Sequence, residues 1–222
     1  MKLTQFVSIV TVILLFLALY AVFSYAEIER EMLEVQKIFY FHVSSALTAF
    51  LAFGVTCLFS ILYLVKRKDK YDMVAVASAE LGIMFCTITL TTGPIWAKYA
   101  WNTWWNWEAR LTSTLILWLM YIGYFILRSA LAEDKKRIYS AVFGIIAYLD
   151  VPIVYYSVEI WQSNLHPGTD TKTNLPPTMQ ITWLISWLAI SILYVFLMIL
   201  RYQEEQLKSQ LETIQYQQME KT

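Results

Sequence analysis

Two histidines are the whole imidazole inventory of this 222-residue chain. His42 stands in KIFYFHVSSA and His166 in VEIWQSNLHPGT, each at the end of an apolar run. Between them lies AKYAWNTWWNWEAR, residues 97–110. It places Trp101, Trp104, Trp105 and Trp107 within seven positions, with Trp96 just ahead and Glu108 and Arg110 just behind. A neutral imidazole ligates metal through its unprotonated nitrogen, and two of them on one haem iron make a six-coordinate site. Indole supplies a broad apolar face with few rotatable bonds, plus one N–H for a polar group. Arginine's planar fork matches the two oxygens of a carboxylate. These parts suit a haem ligated by His42 and His166, bedded on tryptophan, with its propionates met by Arg110 and Lys98. The competing reading of the tryptophans is an aromatic belt at headgroup level. A belt accounts for Trp96, Tyr99 and Trp101 more readily than for the dense run that ends in Glu108 and Arg110. Were this run helical, Trp101 and Trp105 would share one face and Trp104, Trp107 and Glu108 another, as in a short helix lying in the interface.

The elements that must position these residues are apolar helices. The chain is 58% hydrophobic and only 15% charged, with a mean hydropathy of +0.50, against about half and a quarter in soluble domains. This is the composition of an integral membrane protein. A formal net charge of zero gives no reason to expect nucleic acid as a partner. Runs long enough to span a bilayer fall at about 5–26, 40–65, 73–95, 111–131, 138–160 and 179–200. The expected fold is all-α: a polytopic membrane protein of six transmembrane helices with a Trp-rich interfacial segment on its outer face. Residues 1–200 form the membrane domain, with the Trp segment at 96–113, and 201–222 a cytoplasmic helical tail. SYA before Glu27 resembles a signal cleavage site, but the first apolar run is too long for a signal core and only Lys2 precedes it, so an uncleaved anchor is expected. With the N-terminus inside, twelve of the 17 Lys and Arg residues face the cytoplasm. Both termini are then cytoplasmic, and His42, His166 and the Trp run share the opposite, extracytoplasmic face.

Other features constrain the chemistry. Cys57 and Cys86 lie in apolar runs and form no C-x-x-C pair, which reads as small core residues; without C-x-x-C-H there is no covalent haem attachment motif. No Walker A motif is present, so ATP hydrolysis would belong to a partner. No nucleophile or acid–base pair stands out, which favours a carrier over a catalyst. Glu80 and Asp150 are acids inside apolar runs, where ionisable residues are costly and frequently functional. They support an alternative, a small ion- or solute-translocating membrane subunit, against a bland role in helix packing. Pro152 should kink the fifth span, and Gly54, Gly82, Gly123 and Gly144 should permit close helix packing. Residues 27–37 are acidic and suit a short surface helix. The polar loop 163–177 suits an irregular cover over the ligand's edge. Leu207, Leu211 and Ile214 recur at helical spacing in the tail, which should extend the last span.

GPIWAKYAWNTWWNWEARLTS, taken with the two histidine segments, resembles the signature of the "WWD" family of haem-handling membrane proteins of cytochrome c maturation, and within it the haem exporter protein C (CcmC) branch. Thr92, Gly93, Trp96, Trp101, Thr103, Trp104, Trp105, Trp107, Ala109, Arg110, Leu111, Thr112 and Ser113 fit that signature. Tyr40, His42, Val43 and Ala46 match its first histidine motif, and Ser157, Val158, Trp161, Leu165, His166 and Gly168 its second. The chain departs from the pattern with Glu108 for Asp, Asn102 for Gly, Ser44 for Pro and Pro167 for Gln. The resemblance runs from the first span to about residue 201. It implies noncovalent haem b on the outer face of a bacterial inner membrane, His42 and His166 as axial ligands, and a porphyrin held by Trp96, Trp101, Trp104, Trp105, Trp107, Glu108 and Arg110. It also implies partners: a periplasmic haem chaperone (CcmE-like), ABC-type subunits (CcmA- and CcmB-like) and a small subunit (CcmD-like), beside the membrane lipid that the apolar spans require. The haem-attaching relatives, CcmF and CcsA, share the Trp motif but are longer, so 222 residues fit the six-span member.

Overall fold

A computed structural model describes residues 3–163, 165–166, 168 and 175–219. The protein is all-helical: α1 Leu3–Tyr20, α2 Lys37–Lys66, α3 Asp69–Trp101, α4 Ala109–Ala130, α5 Glu133–Tyr148, α6 Asp150–Trp161 and α7 Pro177–Met219. These build six helical segments long and apolar enough to cross a membrane: 3–25, 34–66, 69–101, 109–130, 135–161 and 177–211. It is a polytopic membrane protein. The fifth span is two helices, broken at Leu149 just before Asp150 and three residues before the ring of Pro152, which has no N–H to give a helical carbonyl. The tail is not a separate element: α7 runs unbroken from Pro177 to Met219. Residues 27–37 do not form the expected helix. A turn closed by a bridge between Glu29 and Leu33 leads into one 3-10 turn at Glu34–Gln36.

The centre of the bundle is α2 against α3, flanked by α4, α5 and α7, while α1 packs on α7 at the edge. The buried face of α2 is a ladder of small and hydroxyl residues, Ser44, Ser45, Thr48, Ala49, Ala52, Thr56 and Ser60. Small side chains let the neighbouring backbone approach, and one hydroxyl from each helix bonds across the contact. Thr56 donates to the Ala75 carbonyl of α3 at 3.2 Å, and Ser78 on α3 donates to the Ala52 carbonyl of α2 at 2.7 Å. Gly82 has no substitute here: a Cβ would fall 2.4 Å from a ring carbon of Phe53. Phe53 cannot retreat, because it stacks on Tyr121 at 3.7 Å between centroids. By contrast Phe6, Ile9, Ile13 and Phe16 of α1 point outward, fully usable as lipid-facing surface. Of the two cysteines, Cys86 is buried as expected, whereas Cys57 is only half-buried.

Three ion pairs between helices lie at the end of the bundle away from the histidines. Arg128 of α4 grips Asp72 of α3 with both guanidinium nitrogens, at 2.9 and 2.5 Å, and Arg137 of α5 pairs with Asp69. Glu80 receives Arg201 of α7, whose Nε donates at 2.7 Å, and Arg201 also pairs with Glu204. Glu80 is therefore an ion-paired acid rather than an isolated one. Asp150 sits on another helix, in the first turn of α6, with its Oδ2 buried and unbonded. Glu80 and Asp150 thus stand on different helices in different settings, one ion-paired and one with an unbonded oxygen.

Candidate functional site

The opposite end of the bundle opens into a cavity of about 550 Å³ between α2, α3, α4 and α6, within the roughly 300–1,000 Å³ range of ligand-sized pockets. Its walls are mostly apolar and reach from Met32 and Phe39 down to Phe50 and Cys86. Both histidines line it. So do Trp96, Trp101, Trp105 and Arg110. Residues far apart in sequence thus converge on one chamber, which is bordered by the turn at 29–36.

Local rules explain how the tryptophans arrive there. Pro94 does not end α3, which continues to Trp101. Trp96 and Trp101 therefore lie on one helix, edge to face at 5.3 Å. The helix stops because Asn102 turns left-handed, with φ 55°, a conformation that asparagine tolerates better than most residues. This is the position where the resembled signature has glycine, and the substitution keeps the backbone option. Lys98 closes the turn by donating to the Asn102 carbonyl at 3.2 Å and to its side-chain oxygen at 3.0 Å. Lys98 is thus a helix C-cap donor, exposed and outside the cavity wall.

Residues 102–108 are non-helical, so the expected helical faces of the Trp run do not form. Trp105 folds back to the cavity, and its buried Nε1 has no hydrogen-bond partner. Trp104 and Trp107 instead face outward, 60% and 74% exposed, and neither lines the chamber. Trp107 meets Trp105 edge to face at 5.6 Å from outside. The run therefore divides into an inner set, Trp96, Trp101 and Trp105, and an outer set, Trp104 and Trp107.

Glu108 is buried behind the cavity rather than in its wall. It is the N-cap of α4, accepting the Leu111 amide at 2.8 Å on Oε1, and it accepts the Ser163 hydroxyl at 2.9 Å on Oε2. Nδ1 of His166 lies 3.3 Å from the same Oε1, without the alignment of a hydrogen bond. Burial acts to raise the Glu108 carboxyl, but the His166 ring, the Leu111 amide and the Ser163 hydroxyl outweigh it and hold it down at about 2. These partners hold Glu108 as a carboxylate. Arg110 does reach the cavity wall, where Nη2 also donates to the Tyr155 carbonyl at 2.9 Å.

Three further residues shape the site. Nδ1 of His42 lies 3.0 Å from the Thr92 hydroxyl, and Thr92 donates its own proton to the Ile88 carbonyl at 2.7 Å. Gly93 leaves room for the ring, since a Cβ there would lie 3.1 Å from Cε1 of His42. Ser163 holds the far oxygen of Glu108. Thr92 and Gly93 belong to the Trp signature, but no sequence signal ties them to a histidine fifty positions away. Trp101 meets His166 edge to face at 5.7 Å. The loop 163–177, expected to cover the ligand, lies outside the described residues at 164, 167 and 169–174, which include Pro167.

The chamber fits a haem. Two imidazoles face an apolar volume walled by indoles, one buried indole N–H lacks a protein acceptor, and one guanidinium reaches the wall.

Comparison with known proteins matches residues 1–217 to the family model described as Heme exporter protein C. The Heme exporter protein C of Haemophilus influenzae is 30% identical over 214 residues, covering 93% of this chain and 86% of that protein. Its namesake in Bradyrhizobium diazoefficiens is 31% identical over 186 residues, 82% of this chain and 71% of that protein. That of Escherichia coli K12 is 33% identical over 162 residues, 71% and 65%.

Proposed function

This chain belongs to the haem exporter protein C family, and from that premise we propose that it binds haem b noncovalently and hands it on during cytochrome c maturation. The observation that carries this reading is the convergence of His42, His166, Trp96, Trp101, Trp105 and Arg110 on one apolar chamber. His42 and His166 would ligate the iron and the three inner tryptophans would bed the porphyrin. Arg110 is the cation placed for a propionate. Haem is cargo here, and the chain's own work is to ligate it, shield it and release it. The recipient is a periplasmic haem chaperone of the CcmE kind, with CcmA- and CcmB-like ABC subunits and a CcmD-like small subunit as partners. The membrane is the bacterial inner membrane, with both termini cytoplasmic and the chamber facing the periplasm. This orientation follows from the excess of Lys and Arg at the opposite end. The outward tryptophans, Trp104 and Trp107, then sit at the outer rim, at headgroup depth. The alternative, a translocating subunit built on Glu80 and Asp150, is disfavoured by the pairing of Glu80 with Arg201.

The test is an optical spectrum of the detergent-purified protein, as isolated and after dithionite, with a pyridine haemochrome assay. Wild type should give a b-type, low-spin spectrum. His42→Ala and His166→Ala should weaken it or turn it high-spin, and Glu80→Gln with Asp150→Asn should leave it intact. A wild type that binds no supplied haem would sink the proposal.

A further inference from the structure

The two histidines are held from behind by different chemistry. On His42 the tautomer follows from the hydrogen bonds. The single proton of the Thr92 hydroxyl goes to the Ile88 carbonyl at 2.7 Å, so toward His42 its oxygen can only accept. Nδ1 of His42 therefore carries the hydrogen, and Nε2 keeps its lone pair. Gly93 keeps that ring in place by offering no Cβ against it. On His166 the neighbour is not a hydroxyl but the buried Glu108 carboxylate, 3.3 Å from Nδ1 and itself fixed by Leu111 and Ser163. A carboxylate 3.3 Å from Nδ1 stabilises positive charge on the imidazole through space, which a neutral hydroxyl does not, and so makes the other ring nitrogen the stronger donor.

We propose that Thr92 and Glu108 are positioning residues that make the two ligands unequal, with His166 the strong-donor anchor and His42 the weaker ligand that yields during handover. This rests on the haem-binding reading of the site. A carrier needs such inequality: two equally strong ligands hold the cargo against any recipient, whereas one yielding ligand opens a coordination position while the other retains it. The neutral Thr92 contact presents Nε2 of His42 without adding charge to it.

The experiment uses the full chain in detergent, loaded with haem b, and reads spin state, haem retained and iron midpoint potential. Glu108→Gln keeps an acceptor for the Leu111 amide and removes the charge. It should raise the midpoint potential, by about a tenfold change in ferric-over-ferrous preference, or ~59 mV for one electron. Glu108→Asp, which keeps the charge, should return it toward wild type. Thr92→Val should increase the high-spin fraction while the haem stays bound through His166. His42→Gly should retain haem in a high-spin form that added imidazole converts to low-spin, and His166→Gly should retain about tenfold less. An unchanged potential in Glu108→Gln, a Thr92→Val variant that stays fully low-spin, or the reverse order of the two glycine variants would overturn the assignment. Should Glu108→Gln fail to accumulate, the Thr92→Val spectrum and the glycine pair decide alone. A wild type that holds no haem removes the underlying reading, and is told apart because every variant is then equally silent.

Discussion

The two ends of this bundle handle polar groups in opposite ways. At the end of Asp72 and Glu80, buried or half-buried charges are paired across helices: Asp72 with Arg128 and Glu80 with Arg201. At the end of His42 and His166, the buried Trp105 Nε1 and His166 Nδ1 have no formed hydrogen bond, and they lie around or behind an apolar chamber. Removing polar groups from water without partners is costly. The first end pairs its buried charges, which serves stability, while the second leaves an indole N–H and an imidazole nitrogen unmet around a chamber, as a ligand site does. The lesson extends to Glu108. Both of its oxygens are engaged, Oε1 by the Leu111 amide and Oε2 by the Ser163 hydroxyl, and it caps α4 behind His166.

That contrast can be broken from either side. The largest expected effect is at the paired end. Arg128→Met takes the bidentate partner from the buried Asp72 and leaves it only Arg137, 3.9 Å away, and losing one partner of a buried pair costs about 3–5 kcal/mol. Thermal unfolding in detergent should show the loss, while the haem spectrum of the folded fraction stays unchanged. A large change in that spectrum would mean that the two ends are coupled. Next, Gly82→Ala forces a methyl group into Phe53, which Tyr121 blocks from behind. Overpacking of this kind costs about 1–3 kcal/mol, read by the same melt. Third, the division of the tryptophans predicts different consequences for one substitution. Trp105→Phe should reduce haem retention about tenfold, the scale of losing one ~1.4 kcal/mol contact. Trp104→Phe and Trp107→Phe should leave it within about twofold, as read by pyridine haemochrome per mole of protein. Equal losses at all three would return the run to a single undivided platform. The smallest effect is at Lys98. Lys98→Ala removes an exposed helix-end contact, so stability should move by no more than about 0.5 kcal/mol and haem retention should not change. A marked loss of haem would assign Lys98 to a propionate.

Much of this was readable in the chain. The six spans came from apolar length alone, and their ends fall within a few residues of the observed helices except where α3 runs on to Trp101 and α7 to Met219. The convergence of His42, His166 and the Trp run on one end followed from an even number of crossings between segments. The errors share a cause. Periodicity assigns faces on the assumption that a helix continues, and Asn102 ends it with a left-handed residue. Trp104 and Trp107 consequently leave the face that helical spacing assigns them. Glu108 was read for its charge, but a glutamate is not a favoured N-cap by residue type, and nothing local marks it as the neighbour of a histidine.

The sequence by itself determined the solvent, the number of crossings and the short list of groups able to hold a metallated planar ligand, because these depend on residue type and on length along one chain. Only the tertiary structure decided which of those groups share a chamber and what stands behind each of them. Thr92 reaches His42 across fifty positions, Glu108 meets His166 across fifty-eight, and Asp72 meets Arg128 across fifty-six. Each contact exists because two helices pack or a chain reverses, and each is set by where backbones are allowed to approach. That approach depends on glycines, hydroxyls and caps acting together through space, which no single segment of the chain contains.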